Sequence, residues 1–436
     1  AFSGSDILFN YDDFAFSFSQ KSILSFLQDG QDQLSSSLIH FDDGVLVIDT
    51  LDNKSGISTL NNFPKFKIDK PAYLSYLNNP VSFLINPFEI TYLHDFSLEN
   101  LSFSGNLYLD SLVADLRGVL SFDKMGNLGT LIDTEVPVFL YKDKMLFNGQ
   151  LSLSSDGLFG SGTFKSDYLL FQSNFIELKS GNIVGFSNSI QNGDKLHQTP
   201  FLSNNVDLSY FPYDNKFLIK SLSDGIDVYN QFNFFGDLYF DGDNLNGSGR
   251  FESECCSITS SHHYFSSEEI MSADAEFSLY DTFSNALLVS STGVSVEKKL
   301  FSDSIFVAKS NSSFVLPKLE YSLDFDSFIF DFSNNVIHFE NNQLGLEGLL
   351  SSNKYGRNGF SYNALEVFYF LDNSQLCVNS VFPLSFKKFL LQPDANSFCL
   401  LKNGDFPVFK NATLIKEKWL LKDRLYNDKD VFVKPS

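Results

Sequence analysis

Residues 147–164 read Phe-Asn-Gly-Gln-Leu-Ser-Leu-Ser-Ser-Asp-Gly-Leu-Phe-Gly-Ser-Gly-Thr-Phe. The stretch predicts a strand, a tight turn and a second strand. Leu151 and Leu153 fall on one face of the first strand, because side chains alternate along a pleat. Asp156-Gly157 supplies a turn that tolerates positive φ. Gly160 and Gly162 open the second strand, where a missing Cβ lets another backbone come close. The same hairpin returns at residues 235–251, Phe-Gly-Asp-Leu-Tyr-Phe-Asp-Gly-Asp-Asn-Leu-Asn-Gly-Ser-Gly-Arg-Phe.

A related strand pair precedes both: Phe103-Ser-Gly-Asn-Leu-Tyr-Leu109 and Leu116-Arg-Gly-Val-Leu-Ser-Phe122. Gly105 and Gly118 are thirteen residues apart, as are Gly149 and Gly162, and Gly236 and Gly249. Gly105, Gly149 and Gly236 are separated by 44 and 87, close to one and two steps of a common interval. That spacing predicts an internal repeat of a two-strand unit. An intervening copy near residue 192 is not evident, and a degraded copy is expected at Asn335–Phe339 and Leu346–Gly348. After each second strand comes another short pair, Tyr168–Leu178 aligning with Ser257–Phe265. Tyr321–Phe332 alternates almost throughout, with one change of phase at Ser327, as a bulge produces.

The chain divides into three regions on these patterns: an irregular N-terminal region over 1–60, repetitive hairpins over 61–350 and C-terminal strands over 351–436. In the first, Ser17–Leu27 reads as a short helix before Asp29-Gly30, and Gly44–Asp49 as a strand. The lone Trp419 is expected to pack on the last sheet. The architecture expected is all-β: an elongated, repetitive stack of short antiparallel hairpins, as an open twisted sheet or a β-solenoid. A single unit cannot bury its apolar face, so stacking supplies the core.

Composition agrees. The chain has 436 residues, 43% of them hydrophobic, so a sizeable core can form. Phe contributes 50 residues, and rings alternating with small polar residues are strand material. The net charge of −22 repels nucleic-acid phosphate and anionic lipid, so no general nucleic-acid binding and no polybasic membrane anchor are expected. Four Cys are too few for a disulfide scaffold of this size. No apolar run reaches the ~18 residues of a membrane span. No signal peptide is visible, and a start at Ala1 fits a mature form or an excerpt.

Cys255-Cys256 followed by His262-His263 is the Cys/His cluster of the sequence. Neighbouring residues on a strand point to opposite faces, so a vicinal pair does not converge on a metal, and buried or surface thiols are expected. The copy aligned with it carries Tyr, Leu, Asn and Phe there. Asp241–Gly247 with Glu252 resembles a calcium loop, but Leu245 and Asn246 stand where oxygen and Gly are wanted, so a turn is expected. Carboxylate pairs are too plentiful among 53 acids to point to a glycosidase. Gly160-Ser-Gly162 and Gly247-Ser-Gly249 are strand glycines rather than phosphate loops. Asn-x-Ser/Thr triplets at Asn53, Asn100, Asn246, Asn311 and Asn411 are chance matches in so Asn- and Ser-rich a chain. No catalytic residue, cofactor site or metal site is expected.

The segment Thr134–Phe164, with Ser173-Asn-Phe175 after it, resembles a recurring segment of very large, mostly uncharacterised proteins of Bacteroidota bacteria. The C-terminal part is similar to a later segment of those proteins through Gln392–Asn396, Pro407–Ala412 and Asp423–Asn427. The resemblance covers roughly 130–430. It departs where the family carries Tyr-His-x-Ile-Tyr-Asn-Ala and this chain has Asp423-Arg-Leu-Tyr. It implies an envelope or cell-surface location, no enzyme activity, and a chain cut from something longer.

The function expected is therefore a non-enzymatic structural or interaction protein of the bacterial cell envelope or surface. Its partners would be other envelope or surface proteins, neighbouring repeats of the same chain, or lipid, and not nucleic acid. The alternative is a lipid-transport β-groove of the AsmA, TamB and LptA type, whose repeated strands this chain also resembles. A carbohydrate-active β-helix enzyme would need acids clustered on one exposed face. An apolar groove left open, or closed by the Phe ladders, separates the first two.

Overall fold

Rings alternating with Ser, Asn and Asp give strands with one wet and one dry face, and the chain uses almost nothing else. The computed structural model describes residues 1–27, 34–56, 58, 62–76, 79–94, 97–108, 116–253, 255–282, 284–310, 312–343, 345–352, 360–379, 383–386, 389–393, 395–410, 412–416, 426–427 and 430–431. Among these the fold is all-β, antiparallel hairpin after antiparallel hairpin, and the helical segments are single 3-10 turns. Trp419 and Asp423-Arg-Leu lie outside the described residues, as do Asp29-Gly30. The chain forms two compact units: residues 1–197 with 202–219, and residues 198–201 with 220–436.

The first unit begins with strands Ser22–Leu27, Leu34–Phe41, Ala72–Tyr76, Asn79–Ile85, Ser102–Tyr108 and Leu116–Phe122, each antiparallel to the next. A smaller sheet of Ile7–Asn10, Ala15–Phe18, Gly44–Val47, Lys65–Ile68 and Phe88–Ile90 packs on them through Phe66, 5.2 Å from the ring of Phe41. The helix expected over Ser17–Leu27 does not form. Ala15–Phe18 and Ser22–Leu27 are strands of different sheets, separated by Lys21 at φ 63°. Ser22, Leu24 and Phe26, at every second position, are the most deeply buried of the strand's described side chains, a period of two that a helix cannot place on one face.

From residue 128 onward the strands recur with a longer period. The first set is Leu128–Asp133, Val138–Leu140, Met145–Ser154, Gly157–Lys165, Leu169–Leu178, Ile183–Asn192 and Phe201–Phe211. The second is Lys216–Ser221, Ile226–Val228, Phe232–Phe240, Leu245–Glu252, Cys256–Phe265, Glu269–Tyr280 and Leu287–Lys299, each displaced by about 87 residues. The repeat is a seven-strand block, not a two-strand unit, which is why no copy is evident near residue 192. A third block starts at Ser304–Lys309 and Phe314–Leu316. There Tyr321–Asp324 and Ser327–Asp331 are two strands with different partners, rather than one strand with a bulge. Val336–Glu340 and Gly348–Ser352, in the region of the expected degraded copy, take up those two partners separately.

Gly149 faces Gly162 across the first repeat hairpin, and Gly236 faces Gly249 across the second. All four have φ between 148° and 153°. A Cβ on Gly162 would stand 2.2 Å from the carbonyl oxygen of Asn148, and one on Gly149 2.1 Å from that of Ser161. The ladder changes partner at this pair: Val138–Leu140 runs beside Met145–Phe147, and Thr130–Asp133 beside Gln150–Leu153. Thr134 bridges the change, its Oγ1 accepting from Gly149 N at 2.7 Å; Ser221 Oγ accepts from Gly236 N at 2.7 Å. Beyond the pair, both second strands shift register, at Gly160/Gly162 and Gly247/Gly249. Gly105 also faces Gly118, yet neither has positive φ, and a Cβ on Gly105 would meet Leu84 O in the adjacent strand at 2.1 Å. That pair serves a different close approach.

The inward faces close on rings. Phe147 lies 4.7 Å from Phe164, which stacks on Phe171 at 4.8 Å; Phe232 lies 4.7 Å from Phe251. Phe147, Phe164 and Phe234 are 0% exposed. Each such burial contributes about 1.5–3 kcal/mol. Gly162→Val is expected to destabilise the fold by about 3 kcal/mol or more, because it combines a backbone clash with strained φ. Chemical denaturation measures it, and an unchanged midpoint would exclude the close-approach role.

Candidate functional site

The second repeat places a buried polar pair where the first is apolar. Ile176 in Leu169–Leu178 packs over Gly185, where a Cβ would touch the Ile176 side chain at 3.3 Å. Eighty-seven residues on stand His263 and Ser272, direct partners across the ladder. Both are buried, at 1% and 3% exposure. His263 Nδ1 lies 2.7 Å from Ser272 Oγ, and Nε2 lies 3.0 Å from the carbonyl oxygen of Gly249. A carbonyl only accepts, so Nε2 carries the proton and the Ser272 hydroxyl donates to Nδ1. The ring sits edge-on to Phe234 at 5.5 Å. Burial holds the imidazole below its ordinary pKa, with the Gly249 hydrogen bond opposing.

A serine donating to a histidine has the parts of a nucleophile and base. Here both side chains rise from mid-strand positions, and both ring nitrogens are engaged within the sheet. The arrangement satisfies two polar groups in an aromatic core, which is what burial demands of them.

The vicinal cysteines converge, against the expectation that they point apart. Cys255 lies at the bend before the strand, so strand alternation does not apply to it. The thiol of buried Cys256 is pushed up, first by its hydrogen bond with Cys255 and then by burial. Its Sγ lies 3.0 Å from Ser253 Oγ. His262 faces outward to Ser261 Oγ at 2.8 Å, away from His263. Among the described residues, no three His, Cys, Asp or Glu side chains gather as a metal-ligand group. In the strand Leu287–Lys299, Lys298 is only 8% exposed; its Nζ donates to the carbonyl oxygens of Lys299, at 2.9 Å, and Ser302. Asp241 closes a turn, accepting from the amides of Asp243 and Asn244 at 3.0 and 2.8 Å, and these bonds hold its pKa low.

On the outer side of the same strands is an open depression of about 400 Å³. Tyr239, Tyr264, Met271 and Phe306 line it together with Asn246 and Glu297, and His263 and Ser272 also border it. No family model, curated protein or solved structure matches the chain.

The His pair is visible in the sequence, but its setting is not. Aligned by sequence alone, the first copy places Asn and Phe at the histidine positions, whereas the structure matches His262 with Phe175 and His263 with Ile176 by position in the repeat. Both repeats shift register at the same glycines, so the strands match residue for residue, Ser173 with Ser260 and Ile176 with His263. Composition likewise gives no hint of the disulfide Cys377–Cys399: two cysteines 22 residues apart sit opposite each other on neighbouring strands.

His263 binds its proton less readily folded than unfolded, so its stabilising contribution is complete above its unfolded pKa of about 6.5 and declines as pH falls below it. Between about pH 7 and 5, His263→Gln should flatten the fall of melting temperature with acidity. A slope identical to that of the parent protein would contradict the buried neutral imidazole.

Proposed function

We propose that the protein is a non-enzymatic structural and interaction protein of the bacterial cell envelope or surface. The observation that carries this reading is the closure of the aromatic ladders. Phe147, Phe164 and Phe171 in one repeat, and Phe234 and Phe251 in the next, are at most 1% exposed. The hairpins use their apolar faces on one another, as a mechanical or display scaffold requires. A lipid conduit needs those faces open along a trough. The Cys377–Cys399 disulfide supports an oxidising compartment, because such bonds persist outside the reducing cytosol. Net charge of −22 supports a surface that stands off anionic lipid and nucleic acid.

Native mass spectrometry of the protein taken from bacterial membranes tests the reading. The expected species is lipid-free, with a mass two hydrogens below the fully reduced chain and Cys255 and Cys256 still alkylatable after unfolding. Stoichiometric phospholipid or lipopolysaccharide would favour lipid transport instead. A fully reduced chain would count against the envelope.

A further inference from the structure

The outer face of the second unit carries one unbroken cross-strand row. It runs Tyr239, Asn246, Tyr264 and Met271, each opposite the next. From Met271 it passes to Glu297, Phe306 and Ile329. It ends on His338, Phe368 and Cys377. None of these residues is buried, and Met271 is 40% exposed. His338 and Phe368 stack face to face, 4.3 Å apart and 3° from parallel. Strands are about 4.8 Å apart, so the row extends on the order of 40 Å.

The row's margins carry hydrogen-bonding groups among apolar ones. One side offers Glu269, Lys299, Ser304, Asp331 and Gln375 at the neighbouring outward positions, with Val336 and Phe370 between the last two; the other offers His262, Ser295, Glu340, Glu366 and Asn379, with Ala273 and Ala308 among them. The depression at Tyr239, Tyr264 and Phe306 lies on this spine.

We infer that this row is a binding platform for an extended, uncharged polysaccharide. A sugar ring presents an apolar C–H face and a hydroxyl rim, which matches an aromatic spine between hydrogen-bonding margins. The step from strand to strand is comparable to the length of one sugar residue. An acyl chain fits worse, because Asn246 and Glu297 interrupt the spine. An acidic glycan is repelled by Glu269, Asp331, Glu340 and Glu366, and so is a second copy of the same face. The first repeat lacks the platform: its corresponding row runs Ser152, Phe159, Glu177, Val184 and Ser209.

This inference deepens the interaction-protein reading and rests on it. The test is native gel electrophoresis of the full chain through gels containing soluble β-glucan, xylan or mannan. Oligolysine and phosphatidylcholine vesicles serve as the other probes. Retardation by at least one neutral glycan is expected. Tyr264→Ala with Phe306→Ala should weaken it about tenfold or more. Exposed Leu131→Ser in the first unit should not change it. Should the double variant melt early, Met271→Lys is used instead, which inserts a charge at an exposed position of the row. No retardation by any glycan, or retardation indifferent to these substitutions, overturns the platform and leaves the scaffold reading standing. Binding to oligolysine alone, or self-association lost on Tyr264→Ala, overturns it in favour of a protein partner. Binding to vesicles alone overturns both readings.

Discussion

Two backbones can lie closer than a Cβ allows only where both residues lack one, and the repeat hairpins are built on that contact. Gly149 against Gly162, and Gly236 against Gly249, hold Cα atoms so near that an added Cβ would be 2.8 Å from the opposite Cα. At that point each hairpin exchanges one neighbouring strand for another. The hydroxyls of Thr134 and Ser221 take the glycine amides that the exchange would orphan. Register beyond the pair, and hence which side chains enter the core, depends on this geometry.

On this common backbone the two repeats carry different chemistry. Ser173 Oγ donates to Phe186 O in the first, and Ser260 Oγ to Ala273 O in the second, in the same place. Three residues further along, an apolar Ile176 is exchanged for a hydrogen-bonded His263. The outward row changes more freely still, since outward side chains need not fill a fixed volume. Backbone geometry is what the blocks share, while polar and aromatic identity varies over it.

Much of this is legible in the chain itself. Alternation of rings with small polar residues marks strands, and Gly-x-Gly thirteen residues after a glycine marks the hairpin. The all-β class and short antiparallel hairpins come from those two signals. The block length does not. The interval of 44 links Gly105 to Gly149, but these glycines make different contacts, and an interval cannot distinguish a positive-φ pair from an extended one. Ser17–Leu27 fails as a helix because two short strands of different sheets abut there, and Lys21 at φ 63° leaves no sequence signature. The partners of Tyr264 and Glu297 are hidden for another reason. Cross-strand neighbours depend on turn lengths and register shifts summed over many strands, and one shift moves every side chain beyond it.

Amide hydrogen exchange reports directly on whether the glycine pairs anchor the fold. Peptides spanning 145–165 and 232–252 are expected among the slowest to exchange, each hairpin opening as one unit with its Thr134 or Ser221 bridge. Exchange at Gly149 and Gly162 as fast as in the turn Asp123–Asn127 would contradict it: the close approach would then be incidental, and the core rings alone would hold the strands together.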